Sequence, residues 1–178
     1  VYGVQAAGAP SMFNSAHHHQ LETLSSVSTF ADGIAVKTPG DITFNMVEKY
    51  VDDIVTVSDD EIAAAILALI EKQKLIAEGA GAVSVAAAMF HKLPIEGKKA
   101  VCVVSGGNID VNILSRVITR RLVMSGRNTN LMIALEDKPG QLQQVSEIVA
   151  SCGGNVVSVH HDRGDTNMAI SSCFLKLG

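Results

Sequence analysis

The sequence lacks the features that place a protein in a membrane or on a nucleic acid. No apolar run among its 178 residues approaches the roughly 18 residues of a membrane-spanning helix. Lys and Arg number 14 against 18 Asp and Glu, which gives a formal net charge of −4. Because phosphate-binding surfaces need an excess of positive charge, this mild acidity argues against a nucleic acid or an anionic membrane as the main partner.

Paired cysteines and a signal peptide are also missing. The three cysteines, Cys102, Cys152 and Cys173, are odd in number and form no CxxC motif. This usage predicts reduced thiols in a cytoplasmic protein rather than a secreted disulfide framework. The N-terminus lacks the order of basic, apolar and small residues that is typical of a signal peptide. Because the chain starts with Val1 and its last residues resemble a strand, we expect it to be a segment of a longer protein.

The residues that are present favour a core-forming α/β structure. Apolar residues make up 47% of the chain and charged residues 18%, which is typical of folded globular proteins. Strand patterns alternate with helical patterns, with strands at 1–4, 54–57 and 100–104 and helices at 41–50, 59–74, 79–91 and 111–124. Ser58 and Glu61 have the spacing of a capping box at the start of the second of these helices. This alternation predicts a parallel sheet covered by helices.

Two segments carry more specific expectations about burial. In the helix at 41–50, Ile42, Met46 and Val47 fall on one face, which we expect to be the buried face. The continuous apolar run at 100–104 predicts a central parallel strand that is buried on both faces of the sheet.

After about residue 126 the pattern changes to a βαββ order. Strand patterns at 131–135, 156–161 and roughly 168–177, a helical pattern at 141–151 and a turn at 163–165 make up this part. The order predicts a ferredoxin-like α+β unit that lacks its last helix and strand. We therefore expect two domains, at 1–126 and 127–178. A sheet without one edge partner exposes unpaired backbone groups, so we expect a neighbouring chain to stabilise the second domain.

The most informative local motif is Ser105-Gly106-Gly107-Asn108, directly after the apolar run. Ligands of open α/β sheets bind beyond the carboxyl ends of the strands, and two glycines there let the backbone approach a ligand closely. Ser105 would place a hydroxyl group at this edge. A plain strand-to-helix turn explains the same four residues, and the local sequence leaves both interpretations open.

Glu78 and the histidines are the other candidates for chemistry. Glu78 precedes the Gly-Ala-Gly-Ala start of a helix. There its carboxylate would either be stabilised by the helix dipole as a cap or lie beside a ligand. The histidine triplet at 17–19 is interpreted as a solvated polar segment, since no cysteine or carboxylate completes a metal-ligand spacing nearby. His160 and His161 lie on a strand and point to opposite faces. No metal site is predicted.

Together, these segments resemble the catabolic type of threonine dehydratase. The motifs that carry the resemblance are GVQ at 3–5, ADGIAV at 31–36, PG at 39–40, VDDIVTV at 51–57, EGAGA at 78–82 and VSGGNID at 104–110. The family is pyridoxal-phosphate (PLP) dependent and has the fold-type-II, tryptophan-synthase-β-like architecture, which the resemblance implies for residues 1–126. Residues 131–177 are similar to an ACT domain, through DKPGQL at 137–142 and GNV at 154–156.

The resemblance implies β-elimination of L-threonine, or of L-serine, to a 2-oxo acid and ammonia. It also assigns cofactor-binding roles: Ser105 would hydrogen-bond the pyridine nitrogen of PLP, Gly106, Gly107 and Asn108 would shape that wall, and Glu78 would lie near the ring. The family's Schiff-base lysine, in a Ser-x-Lys-x-Arg-Gly context, and its tetraglycine phosphate loop are absent from these residues. We expect both in preceding sequence, so that this segment holds no catalytic residue and is inactive alone.

In the second domain, the resemblance implies an amino-acid effector, with Gly140 and Asn155 as the candidate contacts, and a homo-oligomeric protein. Some relatives bind a divalent cation through two acidic residues after the first strand, but Gln5 and Ser11 stand at those places here. Two alternatives stay open: a serine dehydratase or serine racemase of the same fold, and a non-catalytic amino-acid-sensing module.

Overall fold

The structure, a computed structural model, describes residues 1–163 and 169–178. Its contacts divide the chain into two compact units, Val1–Arg121 and Leu122–Gly178. Among the described residues, no helix combines the length and the apolar character needed to cross a membrane.

The N-terminal unit contains two paired strands and most of the helices. Its elements are β1 (Tyr2–Ala6), α1 (Ser11–His18), α2 (Asp41–Tyr50), β2 (Asp53–Val57), α3 (Asp59–Ala68), α4 (Gly79–Met89) and the larger part of α5 (Val111–Met124). β1 and β2 pair in parallel, with Tyr2 opposite Asp53 and Ala6 opposite Val57. The predicted parallel α/β arrangement is therefore present in the form of two described strands.

The predicted capping box at the start of α3 is confirmed. The Ser58 hydroxyl accepts a hydrogen bond from the N–H of Glu61 at 3.2 Å, and the Glu61 carboxylate accepts one from the N–H of Ser58 at 2.7 Å. Beyond this cap, α3 contributes the fully buried Ile62 and Ile66 to the core. After α3, residues Leu69–Gln73 form a π-helical turn that ends at Lys74 in the left-handed conformation.

α4 packs closely because its core-facing side chains are small. Ala82, Ala86 and Ala87 have no exposed surface, and they belong to the same hydrophobic cluster as Ile62 and Ile66 of α3. Since alanine extends only one carbon from the backbone, the backbones of α3 and α4 can approach each other more closely than leucine-lined helices do. The Ala-rich composition thus gives α4 a small-residue surface in the core that it shares with α3.

The predicted buried face of α2 is wrong in two of its three residues. Ile42 is 68% exposed and Met46 is 58% exposed, whereas Phe44 is only 8% exposed. Val47 is intermediate. Phe44 and Val47 are three residues apart, so the face that packs is rotated away from the Ile42 stripe. Both faces carry apolar residues, and periodicity alone did not distinguish them.

The predicted central strand at 100–104 is also not formed. The described residues of this segment pair with no strand, and the side chains of Val101 and Val103 are 92% and 70% exposed. Its described anchors are a hydrogen bond from the Ser84 hydroxyl to the carbonyl of Val103 and a contact of Cys102 with the carbonyl of Ser84. A parallel strand needs a hydrogen-bonding neighbour, and none of the described residues supplies one.

The C-terminal unit is a three-stranded antiparallel sheet with one helix. Its elements are β3 (Leu131–Glu136), α6 (Gln141–Ser151), β4 (Val159–Asp162) and β5 (Ser172–Leu177). β5 lies between β3 and β4 and is antiparallel to both. Val145 of α6 packs on Leu175 and Leu177 of β5 in a small hydrophobic cluster. The predicted turn at 163–165 extends outside the described residues.

The capping box generates a prediction about stability. Ser58→Ala removes the hydroxyl that accepts the Glu61 N–H, and we expect it to lower the free energy of unfolding by about 1 kcal/mol. The measurement is urea denaturation of the purified chain, followed by circular dichroism. Ser25→Ala, at an exposed loop position, is the control, and an equal loss in both variants would contradict the assigned role of the cap.

Glu61 generates a prediction about pH. Burial acts to raise its pKa, but hydrogen bonds from Lys92, at 2.9 Å, and from Ser58 outweigh burial and hold the pKa below its usual value. A lowered folded-state pKa stabilises the fold above the unfolded pKa of about 4.3, and this contribution is lost as the pH falls through the folded value.

We therefore expect Glu61→Gln to cost stability at neutral pH, and the cost to shrink on acidification below about pH 4. Urea midpoints of the parent chain and of Glu61→Gln, at neutral pH and below about pH 4, measure the stability cost under each condition. Glu96→Gln, at an exposed position, is the control for the general effect of removing a carboxylate. A cost that stays constant with pH would contradict the ionic contribution.

Candidate functional site

Three segments of the N-terminal unit meet at Glu78. The N–H of Glu78 donates a hydrogen bond to the carbonyl of Gly106 at 3.0 Å, which joins the start of α4 to the loop at 105–108. A side chain on Gly33 would lie 3.0 Å from Cβ of Ala80 and 3.7 Å from a carboxylate oxygen of Glu78. The segment around Gly33 is therefore the third segment that borders Glu78, beside the start of α4 and the loop at 105–108.

The glycines at this junction are required by protein packing. A Cβ on Gly81 would lie 2.6 Å from the carbonyl oxygen and 2.8 Å from the nitrogen of Gly106, and a Cβ on Gly106 would overlap the Glu78 carboxylate. A Cβ on Gly107 would lie 3.0 Å from the carbonyl oxygen of Ile76. These distances show that Gly81 permits the close approach of two backbone segments, and that Gly106 leaves room for the Glu78 carboxylate.

Glu78 itself does not cap α4 with its side chain. It occupies the N-cap position, but its carboxylate forms no capping hydrogen bond with the helix. Instead, the carboxylate lies against Gly106. Glu78 stands at the N-terminus of α4, as the dipole interpretation expects, and its carboxylate lies against the loop at 105–108, so the structure is compatible with both interpretations.

The polar residues of that loop remain available for a ligand. Ser105 and Asn108 are exposed, while Gly106 between them is partly buried against Glu78. Five predicted residues, Glu78, Ser105, Gly106, Gly107 and Asn108, thus lie in or beside one loop and the start of one helix. Their arrangement presents a hydroxyl and an amide on the outside of a tightly packed glycine turn.

The histidine triplet does not converge on one point. His17 lies 3.5 Å from Asp53, His18 lies 2.6 Å from Glu22, and His19 lies 2.8 Å from Glu48. All three histidines are exposed. His17 and His18 end α1, and His19 is its left-handed C-cap, so the triplet forms solvated pairs with three different carboxylates.

The side chain of Gln5 supports the start of α1. Its Oε1 accepts a hydrogen bond from the backbone N–H of Phe13 at 2.8 Å. The N–H groups in the first turn of a helix have no partner within the helix, so this bond satisfies one of them. The amide of Gln5 thereby joins β1 to α1.

The C-terminal unit has a pocket of about 450 Å³ beside the turn between β3 and α6. The residues that line it are Leu135, Asp137, Lys138, Pro139, Gly140, Gln141, Leu142, His161, Arg163 and Leu175. Gly140, a predicted effector contact, is among them and has a left-handed φ of +93°. Asn155, the other predicted contact, does not line this pocket.

Sequence reasoning missed the charged residues of this pocket. Nε of Arg163 forms an ion pair with Oδ2 of Asp137 at 2.8 Å, and Nε2 of His161 lies 3.8 Å from Oδ1 of Asp137. These residues come from the end of β3, from β4 and from the residue after β4. Only strand pairing brings them together, and no spacing in the sequence signals it.

Comparison with known proteins identifies the family. The profile of the family described as "Pyridoxal-phosphate dependent enzyme" matches residues 1–106, more than half of the chain. The chain belongs to the family of pyridoxal-phosphate dependent enzymes. The match includes Glu78 and Gly106, the two residues joined by the backbone hydrogen bond at the candidate site.

One relative and two solved structures show which members of the family are similar. The L-threonine ammonia-lyase of Thermotoga maritima is 48% identical over 177 residues, which is 99% of this chain and 44% of that protein. The processed form of threonine deaminase isoform 2 from Solanum lycopersicum matches 66% of this chain and 33% of its own, with a TM-score of 0.61 and 37% identity. Maize serine racemase matches 68% of this chain and 39% of its own, with a TM-score of 0.59 and 31% identity.

The chain thus spans less than half the length of the curated relative that it matches. Nevertheless, that match covers almost all of its residues, including those of the C-terminal unit.

The residues present fit one side of a PLP family site. A pyridine nitrogen needs a hydrogen-bond partner, and the exposed hydroxyl of Ser105 can provide one. The Ser-x-Lys-x-Arg-Gly motif and a run of four glycines are absent from the sequence. The chain therefore contains the candidate residues at 105–108 but neither the family's lysine motif nor its phosphate loop.

The contact between Gly81 and Gly106 generates a prediction. In an unobstructed helix, a change from glycine to alanine stabilises by about 0.5–1 kcal/mol. Here Gly81→Ala would press a methyl group onto the backbone of Gly106, and we expect a loss of about 1–3 kcal/mol in the free energy of unfolding. Urea denaturation measures the change.

Ala88, in the same helix and only partly buried, supplies the calibration. Ala88→Gly measures the ordinary difference between the two residues in α4. If Gly81→Ala raised stability by the amount that this control predicts, the close approach of the two backbones would be contradicted.

Proposed function

We propose that the protein to which this chain belongs is a PLP-dependent threonine ammonia-lyase. It would convert L-threonine to 2-oxobutanoate and ammonia by β-elimination. The observation that carries this proposal is the 48% identity, over 177 of 178 residues, with the L-threonine ammonia-lyase of Thermotoga maritima. The chain on its own, without the lysine motif and the phosphate loop, would be inactive.

PLP, when bound, acidifies the α-proton of an amino acid and so allows the β-hydroxyl group to leave. Ser105 would hold the pyridine nitrogen through its hydroxyl. A neutral hydroxyl does not keep that nitrogen protonated as a carboxylate would, so the wall would favour elimination over reactions that need a stronger electron sink. The main chain at 106–107 and the amide of Asn108 would shape this wall.

The exposure of the segment at 100–104 supports this assignment. Val101 and Val103 are highly exposed here, although their sequence has the pattern of a strand buried on both faces. We propose that neighbouring strands from the rest of the protein cover this segment, which would place Ser105 at the carboxyl end of a central strand. Ligand sites of open parallel sheets lie at that position.

The alternative substrate is L-serine. Maize serine racemase is a structural neighbour at 31% identity, and the two amino acids differ by one methyl group on the β-carbon. A pocket distinguishes one methylene by only about 1–3 kcal/mol.

The activity is tested on the full-length protein. We expect PLP-loaded enzyme to release ammonia and 2-oxobutanoate from L-threonine with a higher kcat/KM than for pyruvate release from L-serine. A higher kcat/KM for serine, or formation of D-serine, would replace the threonine assignment by the alternative. Full-length protein that binds amino acids without turnover would instead support a sensing module.

The role of Ser105 is tested by Ser105→Ala in the same full-length protein. We expect lower cofactor occupancy, measured by the visible absorbance of bound PLP, and a lower kcat. Ser115→Ala, at an exposed position of α5, is the control. An unchanged spectrum and an unchanged rate in Ser105→Ala would contradict the assignment.

We also propose that the C-terminal unit is a partial ACT-like domain that binds an amino-acid effector. The order β3-β5-β4, with α6 connecting β3 and β4, is consistent with the first βαββ part of a ferredoxin-like fold. The pocket beside Gly140 supports a ligand of amino-acid size. Asn155 would contribute if the ligand extends toward the start of β4.

Oligomerisation and a reducing compartment fit the same picture. β3 has β5 as its described neighbour on one side, and its other edge would be covered by a further strand or by a second copy of the protein. We therefore propose a homo-oligomer. The three cysteines are free thiols in the structure, which is in keeping with the cytoplasm.

Effector binding is tested by titrating the chain with isoleucine or valine in a calorimeter. Gly140→Val fills the pocket at a left-handed position, and we expect it to weaken binding at least about ten-fold, or about 1.4 kcal/mol. Gly153→Val is the matched control, since Gly153 also has a left-handed φ, of +77°, and does not line the pocket. Equal losses in both variants would show that backbone strain, and not the pocket, is responsible.

A further inference from the structure

Three potential metal ligands, Asp137, His161 and Cys173, lie close together at one edge of the C-terminal sheet. Leu135 lies opposite Cys173, and Leu175 lies opposite His161, so Cys173 and His161 share a sheet face with these leucines. Leu135 and Leu175 belong to the hydrophobic cluster that packs under α6. Asp137 follows β3 directly, and its N–H is held by the carbonyl of Ser171 at 2.8 Å.

The ligand atoms of Asp137, His161 and Cys173 are close to one another. All three atoms lie within 4.8 Å of each other, and Nε2 of His161 is 3.8 Å from Oδ1 of Asp137. Ligands of tetrahedral Zn²⁺, with bonds of about 2.0–2.3 Å, are about 3.3–3.8 Å apart. Side-chain shifts of about an ångström would therefore bring the set to coordination distance.

The types of ligand favour zinc over harder cations. A thiolate and an imidazole select Zn²⁺ rather than Mg²⁺ or Ca²⁺, which prefer oxygen ligands. Cys173 is only 1% exposed, while the side chains of Asp137 and His161 are 29% and 38% exposed. The buried thiol would form the base of the site, and the other two ligands would give the ion access from solvent.

The ion pair of Arg163 with Asp137 involves one of the two carboxylate oxygens. Its Nε donates to Oδ2 at 2.8 Å, whereas Oδ1 is the oxygen near His161. A metal on Oδ1 would leave the arginine contact with Oδ2 in place, as an outer hydrogen bond that orients the ligand. The positive charge of Arg163 opposes the cation, and the negative charges of the thiolate and the carboxylate compensate for this opposition.

We propose that Asp137, His161 and Cys173 form a binding site for one Zn²⁺ ion, with a fourth position open to water. Asp137 and His161 both line the pocket of about 450 Å³, so a small molecule in that pocket could replace the water. The site does not depend on the activity proposed for the full-length protein.

The test measures Zn²⁺ binding by equilibrium dialysis and metal analysis on the purified, reduced chain. His17, His18 and His19 are exposed and could bind metal by themselves, so all three are replaced by glutamine in the background. We expect one Zn²⁺ per chain. His161→Gln should weaken binding at least about ten-fold, because even loss of an outer-shell partner costs 10- to 100-fold.

His160→Gln is the matched control, since His160 points to the opposite face of the same strand, and we expect it to retain the affinity. Equal losses in the two histidine variants, or binding that does not reach one ion per chain, would overturn the proposal. Asp137→Asn provides a second ligand variant at a partly exposed position, and full binding in this variant would also overturn it.

Co²⁺ in place of Zn²⁺ identifies the sulfur ligand. We expect a thiolate-to-cobalt charge-transfer band that Cys173→Ser abolishes and that Cys152→Ser, at an exposed cysteine, preserves. Circular dichroism shows whether the buried substitution folds. A Co²⁺ complex of the background protein without a thiolate band, or a band that disappears with Cys152 instead, would contradict the assignment.

Discussion

The hydrogen bond from Glu78 to Gly106 is the contact on which the candidate cofactor wall depends. It fixes the start of α4 against the loop at 105–108, at a separation that leaves no room for a Cβ on Gly81 or Gly106. With the glycine backbone held there, Ser105 and Asn108 remain exposed on the outside of the turn. The other side of α4 packs through small side chains in the same hydrophobic cluster as Ile62 and Ile66 of α3.

The C-terminal unit is organised by a different constraint, the alternation of side chains along its strands. Leucines on one face pack under α6, and the polar residues Asp137 and His161 stand where that packing ends. A pocket at this edge can offer a left-handed glycine backbone to an amino acid and a ligand cluster to a metal ion. The two proposals for this unit therefore concern neighbouring parts of one pocket. Gly140→Val tests the amino-acid site, and His161→Gln tests the metal site.

Local patterns predicted most of the elements because their causes are local. Capping at Ser58 depends on residues three positions apart, and it is present as predicted. The two failures depend on neighbours that local sequence does not contain. Ile42 and Phe44 are both apolar, so only packing reveals that Phe44 is the buried residue. The run at 100–104 has the composition of a buried strand, but no described strand pairs with it.

The order of the motifs alone was sufficient to indicate a pyridoxal-phosphate dependent enzyme, and the profile match over residues 1–106 confirmed that family. Sequence also named the five residues of the candidate wall, because the motifs carry them together. It could not reveal why those glycines are needed, since the reason is contact between segments some 25 residues apart. Nor could it reveal the cluster of Asp137, His161 and Cys173. These residues are separated along the chain, and only the register of an antiparallel sheet brings their ligand atoms together.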